Sequence, residues 1–252
     1  MKLSSQVRTS SSKYIFNRLE ARVNMDSQER VFLEAVERGD KHTMIKCLQS
    51  SRPVNVNARN IMGRSAIQIA VDNENVEIVE YLLKQRDIQV GDALLYAIRE
   101  GVYRIVEMLI DHPSITPEML GDDWKRYAMS VDSSDYSQDV SPIMLAAHCN
   151  QFEILHLLLT RGARISQPHD LSCSCETCVT DIKSDSLRHS LLRINTYKVY
   201  ASPAWISLTS ADPIQSAFKL AWDLDKLALR ENEFKVCLIK NNCTLSRKCS
   251  HP

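Results

Sequence analysis

Four stretches of the chain repeat one alternation of apolar and polar positions. They read FLEAVERGDKHTMIKCLQ, SAIQIAVDNENVEIVEYLL, DALLYAIREGVYRIVEMLI and SPIMLAAHCNQFEILHLLL, and they align on Ala35, Ala70, Ala97 and Ala146. Each holds a short apolar helix, a polar turn (ERGD, DNEN, REG or HCNQ) and a second helix with aliphatic residues at i, i+3 and i+4. In the second stretch Ile78, Val79, Leu82 and Leu83 form a stripe too wide for one helix pair to cover. A neighbouring pair can cover it, and the small alanines let paired helices approach closely. Ser65 and Ser141 stand where the first helix of a pair needs its N-cap.

Ala35 to Ala70 spans 35 residues, Ala70 to Ala97 spans 27, and Ala97 to Ala146 spans 49. The first interval is close to the ankyrin period of about 33 residues. GRSAIQIA at 63–70 and SPIMLAA at 141–147 are degenerate forms of the ankyrin signature. The pattern therefore predicts an all-α chain whose residues 28–168 form a solenoid of four ankyrin-like repeats. The long interval holds MLGDDWKRYAMSVDSSDYSQD, read as a polar surface loop within an insertion at about 113–139. Its Asp122, Asp123 and Asp139 lack calcium-loop spacing and read as solvated.

Directly after the fourth repeat comes HDLSCSCETC, with His169, Cys173, Cys175 and Cys178 in the arrangement H-x3-C-x-C-x2-C. Three sulfurs and one nitrogen suit a tetrahedral zinc ion, and four protein ligands make such a site structural rather than catalytic. Two other readings stay open on spacing alone. Cys175 and Cys178 could serve as a redox dithiol, although the strand-then-helix setting of such pairs is missing. The cluster could also be an unliganded group on a surface loop.

Beyond the motif the pattern changes. Residues 169–183 read as a zinc-binding loop and 184–236 as linker helices. The first of these helices would be capped by Asp185, the next by Ser202 with Pro203 following, and the last by Asp212 with Pro213 following. On the last helix Ile214, Ala217, Phe218, Ala221 and Leu224 line one face, with Trp222 beside it. This face is expected to pack on the repeats or on the other linker helices, and the zinc loop to set the angle between the two parts. Residues 1–27 read as a disordered polar leader, whose arginines and serines also fit a mitochondrial address. Residues 237–252 read as a disordered tail, where Cys237, Cys243, Cys249 and His251 are too widely spaced for a second metal site.

Composition narrows the function. Lys+Arg and Asp+Glu balance at 31 each, so no overall field favours nucleic acid or an anionic membrane. No stretch reaches about 18 consecutive apolar residues, and no secretory h-region is present. The reading is a cytoplasmic chain whose eight cysteines stay reduced. Among only six glycines there is no phosphate-binding loop, dinucleotide fingerprint or nucleophile elbow, and no H-E-x-x-H stands anywhere, so an enzyme is not expected. Four further histidines (His42, His112, His148 and His156) lie among repeat helices and turns, and His189 lacks a local metal partner.

The order NENVEIVEYLL, VGDALLYAI, SPIMLAAHCNQFEILHLLLTRGA, PHDLSCSCETCV and DSLRHSLLRINTYKVYASPAWISLTSADPIQSAFKLAWDLDKLALRENEFK resembles the N-terminal region of C-subfamily transient receptor potential channels. The likeness runs from about residue 28 to about 236. It implies a cytosolic assembly or regulatory domain of a receptor-operated, calcium-permeable, non-selective cation channel. It further implies structural zinc on His169, Cys173, Cys175 and Cys178, and partner subunits of the same family in homo- or hetero-tetramers. By this resemblance the domain lies on the cytosolic face of the plasma membrane when part of, or bound to, a full-length channel. After ENEFK the likeness gives way to VCLIKNNCTLSRKCSHP, which reads as a truncated splice form or incomplete gene model without a pore. The alternative is an independent ankyrin adaptor that binds other cytosolic proteins.

Overall fold

The computed structural model describes residues 26–121, 124, 136, 139–167, 169, 173–184 and 186–230. The leader 1–25, the cap Asp185, the pair Asp122 and Asp123, and the tail from 231 lie outside the described residues. Those described are helical apart from turns and loops, and they fall into two compact units, 26–115 and 116–230.

The first unit contains three antiparallel helix pairs: α1 (Ser27–Glu37) with α2 (Lys41–Leu48), α3 (Ala66–Asp72) with α4 (Val76–Leu83), and α5 (Ala93–Glu100) with α6 (Tyr103–Ile110). The first helices stack α1 on α3 on α5, while α4 packs on α6. Phe32, Met44, Ile67, Ile78, Leu82, Leu94 and Ile105 are wholly buried in this stack. Each unit of the stack is closed by the same turn. Gly39, Glu74 and Gly101 stand four residues after the aligned alanine, and all three have positive φ (74°, 52° and 78°). The next residue then donates its N–H back to the alanine carbonyl: Asp40 to Ala35, Asn75 to Ala70 and Val102 to Ala97. Glycine meets this left-handed conformation freely, whereas Glu74 adopts it against its Cβ.

Capping follows the sequence. Ser65 forms a full capping box with Gln68 at the start of α3. The Asp40 carboxylate accepts from the Thr43 N–H and hydroxyl, bonds that hold it below its ordinary value. Neighbouring loops are also tied together, since Asn57 donates to the Asp87 carbonyl (2.8 Å) and accepts from the Gln89 N–H (2.9 Å).

The second unit begins with a 3-10 turn (Pro117–Leu120) and continues through the pair α7 (Pro142–His148) and α8 (Phe152–Thr160). Here the recurring turn appears again: Asn150 has φ 54°, and the Gln151 N–H returns to the Ala146 carbonyl. Ser141 occupies the N-cap of α7, but its side chain makes no capping bond, unlike that of Ser65. Then follow α9 (Glu176–Ser184), α10 (Ser186–Tyr200), α11 (Pro203–Thr209) and α12 (Pro213–Arg230). Thus the segment expected to be a zinc loop is helical from Glu176 onward. Ser202 and Asp212 precede α11 and α12 as the sequence indicates, with the Asp212 carboxylate accepting from Gln215 N–H.

Helix α10 packs on α7 and α11 packs on α8, so α10 and α11 continue the stack as a further pair would. Two side chains from the end of α7 make the joint. Half-buried His148 places Nε2 3.0 Å from the Asn195 carbonyl, and its burial holds the imidazole below its ordinary value. Asn150 accepts from the Ala204 N–H at 2.9 Å and from the Ser202 hydroxyl at 3.4 Å. Asn150→Ala is expected to lower stability by about 1–3 kcal/mol, because it removes both bonds and strains the positive φ. Asn150→Gly should recover only the backbone part. Urea unfolding of the two variants measures the difference, and a neutral alanine variant would refute the joint.

Two described residues of the insertion differ from the character expected of a surface loop. Trp124 is 1% exposed and Leu120 is likewise buried. Gly121 lies so close to the backbone at Arg164 that any Cβ would overlap the Arg164 carbonyl oxygen. An indole shields more apolar area than the polar residues around it can offset, so it is drawn inside.

Candidate metal centre

His169, Cys173, Cys175 and Cys178 converge at the start of α9. Helix formation from Glu176 explains how four ligands so near in sequence can face one point. Cys175 precedes the first turn, and its sulfur accepts from the Cys178 N–H at 3.5 Å. Cys178 lies one turn further and is buried, while Cys173 and Cys175 are half-buried and His169 is exposed. The Val179 N–H closes the turn on the Cys175 carbonyl at 3.0 Å.

The imidazole Nδ1 of His169 is 3.5 Å from the Cys173 sulfur, 3.3 Å from that of Cys175 and 3.4 Å from that of Cys178. All four ligand atoms lie within 4.8 Å of one another. A tetrahedral zinc with bonds of about 2.3 Å to sulfur and 2.0 Å to nitrogen sets sulfur and nitrogen about 3.5 Å apart. The observed separations match that spacing, and the donor set is the soft one that zinc favours. Electrostatics agree. Hydrogen bonding to the Cys175 sulfur, then burial, then the neighbouring Cys173 push the Cys178 thiol up to about 11. Sulfurs this crowded resist carrying charge together, and a dication reverses that preference.

Among the remaining sequence candidates, His112 bonds Ser114 at 2.7 Å and His148 serves the α7–α10 joint. Cys237, Cys243, Cys249 and His251 lie outside the described residues. The face of α12 departs from expectation: Leu224 is buried, but Ile214, Phe218 and Trp222 are 73%, 76% and 66% exposed. Helix α11 packs on α12, but the contact leaves Ile214, Phe218 and Trp222 uncovered. Sequence pattern alone misses Asn150 of the joint and the buried Trp124 of the insertion. The first stands at the recurring fourth position after an aligned alanine, which is the signal that marks it.

Comparison with known proteins divides the chain at the metal quartet. Ankyrin repeats (3 copies) match residues 32–123, a further ankyrin repeat matches 138–170, and transient receptor ion channel II matches 173–235. The class is therefore an ankyrin-repeat protein with a transient receptor ion channel domain, which points to a non-enzymatic protein-interaction or channel region. His169 falls in the ankyrin match and the three cysteines in the channel-family match.

The chain is 55% identical over 226 residues to a transient-receptor-potential-like protein of Caenorhabditis elegans, covering 88% of this chain and 22% of that protein. It is 43% identical over 224 residues to human short transient receptor potential channel 3, covering 84% of this chain and 24% of that one. A transient-receptor-potential-like protein of Drosophila melanogaster is 44% identical over 211 residues, covering 82% of this chain and 19% of the relative. These matches place the chain among the ankyrin-bearing transient receptor potential proteins, and it spans about a fifth to a quarter of the length of those relatives. Among the described residues no helix is long and apolar enough to cross a membrane.

Proposed function

We propose that this chain is the cytosolic assembly and regulatory region of a receptor-operated, calcium-permeable, non-selective cation channel. The observation that carries the reading is the metal-ligand quartet, which straddles the last ankyrin match and the channel-family match. Zinc held by His169, Cys173, Cys175 and Cys178 is a structural ion that ties the repeat array to the linker helices. Its partners are channel subunits of the same family, and its place is the cytosolic face of the plasma membrane.

Co-expression with a full-length short transient receptor potential channel subunit tests this. Recovery of the subunit with a tagged form of this chain, with altered surface delivery of the channel, is the expected result. If the subunit is absent from the bound fraction and only unrelated soluble proteins are recovered, the independent-adaptor reading takes its place.

A further inference from the structure

Helix α12 leaves a row of large apolar side chains in water. Ile214, Phe218 and Trp222 follow one another at intervals of four residues, so they climb one face over about 12 Å and within about 80° of arc. All three are largely exposed, and Ala221 beside them is exposed as well. Leu224, on the side that turns into the protein, is buried. Single apolar side chains on a surface need no cause, but three in register on one helix form a seam on which another helix can lie.

Charge borders that seam on one edge only. Lys219 and Lys226 are seven residues apart, hence within about 20° of each other, and both lie beyond Trp222. The Lys226 ammonium stands 5.2 Å from the centre of the Trp222 ring. Among the described residues neither lysine pairs with a carboxylate. The other edge is formed by Ala217 and Ala221, and Asp225 closes the seam at its C-terminal end. This asymmetry selects the occupant. If a second copy lay antiparallel on the seam, like flanks would meet, and the lysine edge of one chain would run along the lysine edge of the other. Like charges set together in that way oppose association. In a parallel pairing the lysines would face the alanine edge, which offers them no anion. A helix whose own apolar seam is bordered by carboxylates covers Ile214, Phe218 and Trp222 and gives both lysines a partner.

We propose that this face of α12 is the docking site of an amphipathic partner helix with acidic residues along one flank. Ile214, Phe218 and Trp222 supply the buried contact, while Lys219 and Lys226 fix which flank of the partner faces them. Two designed 18-residue helical peptides test this, one with a leucine seam and glutamates along one flank, the other with lysines in place of those glutamates. Each carries a fluorescent label, and anisotropy on titration with the full chain gives its affinity. The glutamate peptide is expected to bind about tenfold tighter or more than the lysine peptide. Lys219→Glu combined with Lys226→Glu should reverse that preference, and Phe218→Ser should abolish binding of both. Equal affinities, a preference that survives the double charge reversal, or binding indifferent to Phe218→Ser overturns the proposal. Self-association of the chain in sedimentation velocity that Phe218→Ser removes would give the face to a second copy and also overturn it. The substituted side chains are exposed, and circular dichroism checks that each variant keeps its helicity. Because the probes are peptides and not channel subunits, the result is independent of channel assembly.

Discussion

Cys175→Ser is expected to weaken zinc binding by more than about a hundredfold and to loosen the chain between residues 165 and 200. Cys175 supplies a sulfur to the quartet, and the same atom accepts the Cys178 N–H at the first turn of α9. Serine keeps a hydrogen-bond acceptor there but replaces a soft thiolate with a hydroxyl that zinc binds poorly. The damage should stay local. The three helix pairs of the first unit hold one another through their own stacked faces, and residues before 160 should keep their helicity. Metal analysis of the purified variant gives the stoichiometry, and amide hydrogen exchange maps the loosened segment. Zinc content equal to that of the unmodified chain would show that the ligand set is wrong.

A second large effect is expected at Trp124. Its side chain is 1% exposed within a segment that is otherwise rich in charged and small polar residues. Trp124→Ala should cost about 3–5 kcal/mol, the usual penalty for emptying a buried indole site. At Gly121 the backbone has little room to collapse into the space left by Trp124. Its N–H is bonded to the Gly121 carbonyl, and Gly121 is pressed against the Arg164 backbone. Chemical denaturation should show the loss in the second unit, with the first unit unchanged. A cost below about 1 kcal/mol would mean that the insertion contributes nothing to the core.

What the sequence reveals depends on whether a feature is periodic. The aligned alanines and the turns after them are legible because the same chemistry recurs, with Gly39 and Gly101 openly marking the left-handed position. Glu74 and Asn150 fill that position less obviously, and only the alignment on alanine exposes them. The clustering of His169, Cys173, Cys175 and Cys178 is legible because their spacing is local and their residue types are rare. Trp124 is not: a single aromatic residue inside GDDWKRYAM has no period, and its burial depends on packing that the segment itself does not encode. The α12 face fails for a different reason. Its amphipathic pattern shows that a broad apolar surface exists, but not that α11 covers only part of it.

The three tryptophans occupy three distinct environments, which makes the chain its own optical reporter. Trp124 is enclosed, Trp205 is half-buried edge-on to Tyr200 at 5.6 Å, and Trp222 stands in water with the Lys226 ammonium 5.2 Å from its ring. Emission from Trp222 is therefore open to a soluble quencher, while that from Trp124 is shielded. Coverage of the α12 face would show as lost quenching at the red edge of the spectrum, and melting of the insertion as new quenching at the blue edge. One cuvette can thus separate docking from unfolding without attaching a label.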